Sequence, residues 1–118
     1  MDYLQATREI TNVIPEIRDE FKETRIQNSY QVIELFTDKM KSMIRQNDRS
    51  RLFKCLKKMG DFYKTGDALL KNAIENSFIY SLDNCTAFCS KEYRNMIFSH
   101  LSQDLQKVYT RQIYSHNI

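Results

Sequence analysis

The residues best suited to metal binding are three cysteines and two histidines, and their spacing fits no common site. Cys85 and Cys89 lie four residues apart, while His100 and His116 are the only histidines. A zinc site needs four ligands, typically with a Cys-x-x-Cys or similarly regular spacing. If residues 85–89 are helical, the two thiols share one face and act as small buried hydrophobes. We therefore expect no bound metal and no cofactor.

Covalent catalysis needs a nucleophile beside a base, and no local motif supplies such a pair. A cysteine and a histidine can still meet in space, so a Cys–His site stays open at this point. Cys55 lies next to Leu56, which favours a packing role. His100 lies between Ile97 and Leu101 on an apolar face and is expected to be an interface histidine. His116 lies close to the C-terminus, where chains commonly fray.

Two carboxylate pairs have helical spacing but not the environment that acid–base catalysis requires. Asp19 precedes Glu23 by four residues, and Glu16 precedes Glu20 by four. Catalytic carboxylates differ in environment, one desolvated and one not, whereas these four all read as one solvated surface. No Glu-x-x-His repeat of the kind used by di-iron bundles occurs. The expectation is that the chain is not an enzyme.

Composition narrows the fold class. The chain has 118 residues, of which only two are glycine and one is proline. Sandwiches, barrels and hairpins need such residues at many tight turns, so these folds are disfavoured. Gly60 and Gly66 are too few and badly placed for a glycine-rich phosphate loop. The chain is long enough to bury a core as one domain, residues 1–118.

Targeting signals and membrane spans are not expected. The N-terminal stretch has no basic segment followed by an apolar one, as a secretory signal would. No apolar run approaches the roughly 18 residues of a membrane span. An odd number of cysteines is simplest to explain as reduced thiols. We therefore expect a cytoplasmic protein that does not contact a membrane.

Apolar residues recur at steps of three and four along most of the chain, which predicts helices. The predicted helices are 3–12, 15–26, 29–46, 49–64 and 68–82, followed by a loop at 83–86 and a helical region at 91–114. Pro15 separates the first two. The last region is one helix or two, the second beginning at Ser102. The segment 68–82 is the most apolar, which predicts a central position in the fold.

Several helix ends carry recognisable capping residues. Asp2 and Asn28 are each followed by glutamine three residues later, as in a capping box. Asp48 and Asp67 are predicted N-caps for the next helices. Gly66 follows the last periodic residue and is expected to end its helix in a left-handed conformation. The prediction is an all-α fold of six to seven helices in antiparallel hairpins, either a bundle or a short HEAT-like superhelical stack.

Charge is distributed unevenly along the chain. Residues 1–38 hold four cations and eight anions, residues 39–64 hold nine cations and two anions, and residues 65–118 hold five of each. The candidate binding residues on the basic segment are Arg51, Lys54, Lys57 and Lys58. One interpretation is a face that meets phosphates or an acidic partner. The other is a solvated face that also attracts the acidic first third of the same chain.

Aromatic residues within the basic segment are expected to be buried rather than available for stacking. Phe53, Phe62 and Tyr63 fall on the apolar phase of the predicted helix 49–64. Base stacking requires exposed rings. Nucleic-acid binding through this segment is therefore the second hypothesis for function and not the first.

The stretch from Arg51 to Ile79 resembles a pattern in small bacterial all-α proteins of unknown function. It contains a helix with Phe62 and Tyr63 near its end, a Gly-Asp turn, and then Asn-Ala-Ile-Glu-Asn-Ser-Phe at residues 72–78. Some similar families resemble immunity partners of polymorphic toxins. The resemblance implies a non-catalytic binding protein, although immunity proteins against basic nucleases tend to be acidic and only residues 1–38 are so here. The first hypothesis is thus a cytoplasmic protein that binds another protein, with an immunity or adaptor role as its specific form.

Overall fold

The computed structural model describes residues 1–114, and these form helices with no β-strand among them. The helices are α1 (Tyr3–Val13), α2 (Ile17–Thr24), α3 (Ser29–Arg45), α4 (Arg49–Thr65), α5 (Ala68–Ala73), α6 (Ile79–Thr86), α7 (Lys91–Ser99) and α8 (Gln103–Tyr109). A π-helical turn, Ile74–Phe78, joins α5 to α6, and another, Thr110–Tyr114, follows α8. Because α5, its π turn and α6 are continuous, the described residues form seven helical segments. The all-α prediction is confirmed.

Most predicted helix starts agree with the structure. The side chains of Asp2, Asn28 and Asp67 each accept a hydrogen bond from the backbone N–H three residues later, at 2.9, 3.0 and 2.9 Å. Pro15 lies in the break between α1 and α2, as predicted. Asp48 precedes α4, but its side chain makes no capping hydrogen bond. Its ψ of 74° departs from the extended backbone that most N-caps adopt.

The predicted role of Gly66 is wrong in its conformation. Its φ of −70° and ψ of 158° are extended rather than left-handed. A Cβ at this position would lie 2.4 Å from the carbonyl oxygen of Phe62 and 2.9 Å from Cδ2 of Leu70. Glycine is therefore required here because the ends of α4 and α5 approach each other closely. A left-handed backbone conformation is not the reason.

The predicted loop at 83–86 is also wrong, because these residues form the last turn of α6. Thr86 is buried, and its hydroxyl donates to the carbonyl oxygen of Leu82 at 2.8 Å. The hydroxyl of Tyr109 donates to Oδ1 of Asp83 at 2.6 Å. These polar side chains are satisfied within the helical packing, so their polarity does not end the helix.

The C-terminal region consists of two helices. α7 ends at Ser99, and α8 begins at Gln103 after Ser102, whose hydroxyl accepts a hydrogen bond from the backbone N–H of Leu105 at 3.2 Å. This confirms the two-helix alternative. None of the helices described in residues 1–114 is long and apolar enough to cross a lipid bilayer.

The centre of the fold is α3, not the segment 68–82. α3 packs against α1, α4, α5, α6 and the first π turn. α4 packs against α1, α3, α5 and α8. The segment 68–82 buries one side, while Leu69 is 65% exposed and Tyr80 is 40% exposed on its outer side. The high apolar content of the segment 68–82 therefore predicts more burial than the structure shows.

Leu70 and Leu69 provide a matched test of this packing. Leu70 is fully buried, whereas its neighbour Leu69 is largely exposed. We expect Leu70→Ala to lower the free energy of unfolding by about 2–5 kcal/mol, because it leaves a cavity in the core. Leu69→Ala should change it by less than about 0.5 kcal/mol. Urea denaturation measures both values, and equal losses for the two variants would contradict the described rotation of α5.

Candidate functional site

The four predicted binding residues do not form one free surface, because two of them pair with the acidic N-terminal helices. Arg51 donates to the carboxylate of Glu16, and Lys58 lies 3.3 Å from Oε1 of Glu9. The hydrogen bond from Arg51 lowers the pKa of Glu16 and raises the pKa of Arg51. Both cations are thus engaged within the chain, as the interpretation of internal attraction predicted.

The other two predicted binding residues, Lys54 and Lys57, are exposed and make no ion pair with any residue in the described range 1–114. They line a groove between α4 and the turn that joins α7 to α8. We call it the basic groove; Lys64, Phe53 and His100 also line it, and its volume is about 580 Å³. The structure therefore brings half of the predicted site together and directs the other half towards α1 and α2.

Two aromatic rings form part of the basic groove, contrary to prediction. Phe53 is only half-buried and His100 is exposed. Their rings stack with centroids 3.6 Å apart and planes 5° from parallel. His100 lies just after the last residue of α7, so its side chain does not continue the apolar face of α7 that includes Ile97. Phe62, by contrast, is fully buried as expected.

A glycine allows α4 to lie close to the α7–α8 turn at this groove. A Cβ on Gly60 would lie 2.9 Å from Cβ and 3.1 Å from Oγ of Ser102. Glycine within a helix is less favourable than alanine by about 1 kcal/mol, so its presence needs a packing reason. That reason is the close approach of Ser102, which forms one wall of the groove.

A second groove, with a volume of about 590 Å³, lies between α6, α7 and α8. We call it the apolar groove, after the apolar side chains that line it: Leu82, Ile97, Phe98, Leu101 and Tyr109. Phe88 lies in the turn after α6, one residue before Cys89 of the groove lining, and is fully exposed. The sequence analysis did not identify this groove. Its only signal in the sequence is a large aromatic residue in the short turn between α6 and α7.

Two cations belong to the lining of the apolar groove. Lys91 and Arg94 lie on the first turn of α7. Neither forms an ion pair with another of the residues that the structure describes. No aspartate or glutamate is part of this lining. The groove therefore combines an apolar floor with uncompensated positive charge.

Two of the three cysteines, Cys55 and Cys85, are placed unfavourably for nucleophilic chemistry. Burial raises the pKa of Cys55 to about 11 and raises the pKa of Cys85. Reactive cysteines instead have a lowered pKa, because the thiolate is the nucleophile. Sγ of Cys55 lies 3.9 Å from the sulfur of Met43 in the core. Among residues 1–114 no group of three or more His, Cys, Asp and Glu could hold a metal ion, and His116 lies outside the described residues.

The burial of Cys55 can be tested by alkylation. We use the variant Cys85→Ser/Cys89→Ser, so that Cys55 is the remaining thiol. With its pKa near 11 and its side chain in the core, Cys55 should resist iodoacetamide in the native protein at mildly alkaline pH. The same protein in concentrated guanidinium chloride should react fully, as measured by intact mass. Rapid labelling of the native, folded variant would show that Cys55 is accessible.

The chain was compared with known protein families, curated proteins and solved structures. A family model described as "Domain of unknown function (DUF7674)" matches residues 7–115. No curated protein matches the chain. No solved structure matches it either.

Proposed function

The chain belongs to DUF7674, a family of unknown function, and from this premise we propose that it is a non-catalytic protein that binds another protein through the apolar groove. The proposed occupant is an amphipathic segment of the partner that carries apolar anchors and acidic side chains. The apolar anchors fill the groove between α6, α7 and α8, and the acidic side chains meet its cations.

The single observation that supports this proposal most strongly is the exposure of Phe88 beside the groove. A fully exposed phenylalanine loses the favourable burial of its ring. Aromatic residues, phenylalanine among them, are enriched in the buried centres of protein interfaces. Phe88 offers one aromatic anchor, one residue before Cys89 of the groove lining.

Charge complementarity selects the acidic partner. Lys91 and Arg94 bring positive charge to the groove without an acidic neighbour in its lining. A partner segment with glutamate or aspartate beside its apolar anchors would pair with them, whereas a basic segment would be repelled. An immunity or adaptor role is the specific form of this proposal. In that form, the acidic segment belongs to the toxin or client protein.

The absence of catalysis and the cytoplasmic location are parts of the same proposal. Burial raises the pKa of Cys55 and Cys85, which opposes nucleophilic catalysis. Glu16 and Glu20 each pair with a cation on a neighbouring helix, and their side chains stay 55% and 41% exposed, as surface charges rather than desolvated acids would. All three cysteines are free thiols, as a reducing compartment would keep them.

Nucleic-acid binding through the basic segment is the second candidate. The exposed Lys54 and Lys57 beside the Phe53–His100 stack favour it. The internal pairing of Arg51 and Lys58 weighs against it, because a phosphate contact by either of these two residues would first have to break its ion pair. Its signature would be retention of DNA or RNA that weakens steeply with salt and is lost in Lys54→Glu/Lys57→Glu.

The test uses two short helical peptides with the same leucine positions, one with glutamate and one with lysine on the polar face. Fluorescence polarisation at moderate salt measures their binding. We expect the acidic peptide to bind about tenfold more tightly or better, because only it complements Lys91 and Arg94. Phe88→Ser should weaken its binding at least about fivefold, without loss of stability, because the side chain is exposed.

Charge reversal and a distant control complete the design. Lys91→Glu/Arg94→Glu should abolish the preference for the acidic peptide. Lys54→Glu/Lys57→Glu, on the basic groove, is the control and should leave the preference for the acidic peptide unchanged. The proposal fails if the acidic peptide does not bind, or if Phe88→Ser binds it as well as the unaltered protein does.

A further inference from the structure

The basic groove contains a flat aromatic platform. Phe53 covers one face of the His100 ring at 3.6 Å, and His100 is nevertheless exposed. His100 also lines the basic groove, and the ring face opposite Phe53 is the one left for a ligand to stack on. Nδ1 of His100 lies 2.8 Å from the carbonyl oxygen of Met96. A carbonyl oxygen can only accept, so Nδ1 carries the hydrogen and the ring orientation is fixed. Such a platform suits a planar heteroaromatic ring.

Charges of both signs line this groove. Lys54, Lys57 and Lys64 lie on the same helix as Asp61, and Asp104 faces them from α8. No ion pair joins any of these five within the part of the chain that the structure describes. The lysines can hold a phosphate, and the carboxylates can accept hydrogen bonds from hydroxyl or amino groups. A ligand with all three features would satisfy both signs.

The dimensions of the groove match a small ligand. Lys54 and Lys64 are ten residues apart on α4, which corresponds to about 15 Å along the helix axis. The volume of about 580 Å³ lies within the range typical of small-molecule sites, roughly 300–1,000 Å³. Because Gly60 has no side chain, α4 lies directly against Ser102, and this contact keeps the floor of the groove narrow.

We propose that the basic groove binds a nucleoside 5′-phosphate. The base stacks on the open face of His100, which Phe53 supports from behind. The phosphate lies against Lys54 and Lys57, the two cations nearest to the platform in sequence. Asp61 or Asp104 accepts hydrogen bonds from the sugar hydroxyls or an exocyclic amine. This site is separate from the apolar groove and does not depend on the proposed protein binding.

The experiment compares AMP with its two halves, adenosine and inorganic phosphate, by calorimetry and by NMR of the His100 ring protons. AMP should bind at least about tenfold more tightly than either half, because only AMP uses the platform and the lysines together. AMP and adenosine should both shift the His100 ring signals through stacking, whereas phosphate alone should not.

Two variants and one control assign the binding to this groove. Lys54→Gln/Lys57→Gln removes exposed charges without disturbing the core and should reduce the affinity for AMP to about that for adenosine. Phe53→Leu keeps an apolar side chain but removes the stack, and should weaken binding of AMP and adenosine about fivefold or more. Lys91→Gln, at the apolar groove, is the matched control and should bind AMP normally. A thermal melt checks that each variant is folded.

Three results would overturn the proposal. The first is an affinity for AMP that is no higher than the affinity for inorganic phosphate. The second is AMP binding that persists in Lys54→Gln/Lys57→Gln. The third is a 5′-phosphorylated single-stranded oligonucleotide that binds tightly while AMP does not, since this would assign the groove to nucleic acid instead.

Discussion

The rotation of α4 about its own axis is the constraint on which the rest of the surface depends. Leu52, Leu56, Met59 and Phe62 of this helix are fully buried, and α1, α3, α5 and α8 pack around it. Because an α-helix turns by a fixed angle per residue, burying these four side chains fixes the direction of every other one. The hydrophobic core therefore determines which cations meet carboxylates and which face solvent.

This rotation divides the most basic segment of the chain into two sides with different roles. On one side, Arg51 pairs with Glu16, just before α2, and Lys58 pairs with Glu9 of α1. Exposed and half-exposed pairs of this kind contribute little stability, typically up to about 1 kcal/mol each, so their main effect is to neutralise the surface. On the other side, Lys54 and Lys57 form no ion pair within the described residues and lie beside two stacked rings.

The sequence predicted those parts of the fold that depend on periodicity and local hydrogen bonding. Helical spacing and the side chains of Asp2, Asn28 and Asp67 were enough to place most helices, because both signals act within one or two turns. Gly66 and the end of α6 were misjudged because contacts between helices decide them, including the hydrogen bond from Tyr109 to Asp83. For the same reason, the structure brings only two of the four predicted binding residues together in one groove. Periodicity identifies a polar face, but it does not show which neighbouring helix faces Lys58 or where a residue such as His100 or Phe88 points beyond a helix end.

Competitive lysine labelling tests the central claim, the division of the cations of α4, most directly. The folded protein is treated briefly with a limiting amount of an amine-acetylating reagent, and the rate at each lysine is read by peptide mass spectrometry. Lys58, half-buried and paired with Glu9, should react several-fold more slowly than the exposed Lys54 and Lys57. These differences should disappear in denaturant. Equal rates for Lys54, Lys57 and Lys58 in the folded protein would contradict this account of α4.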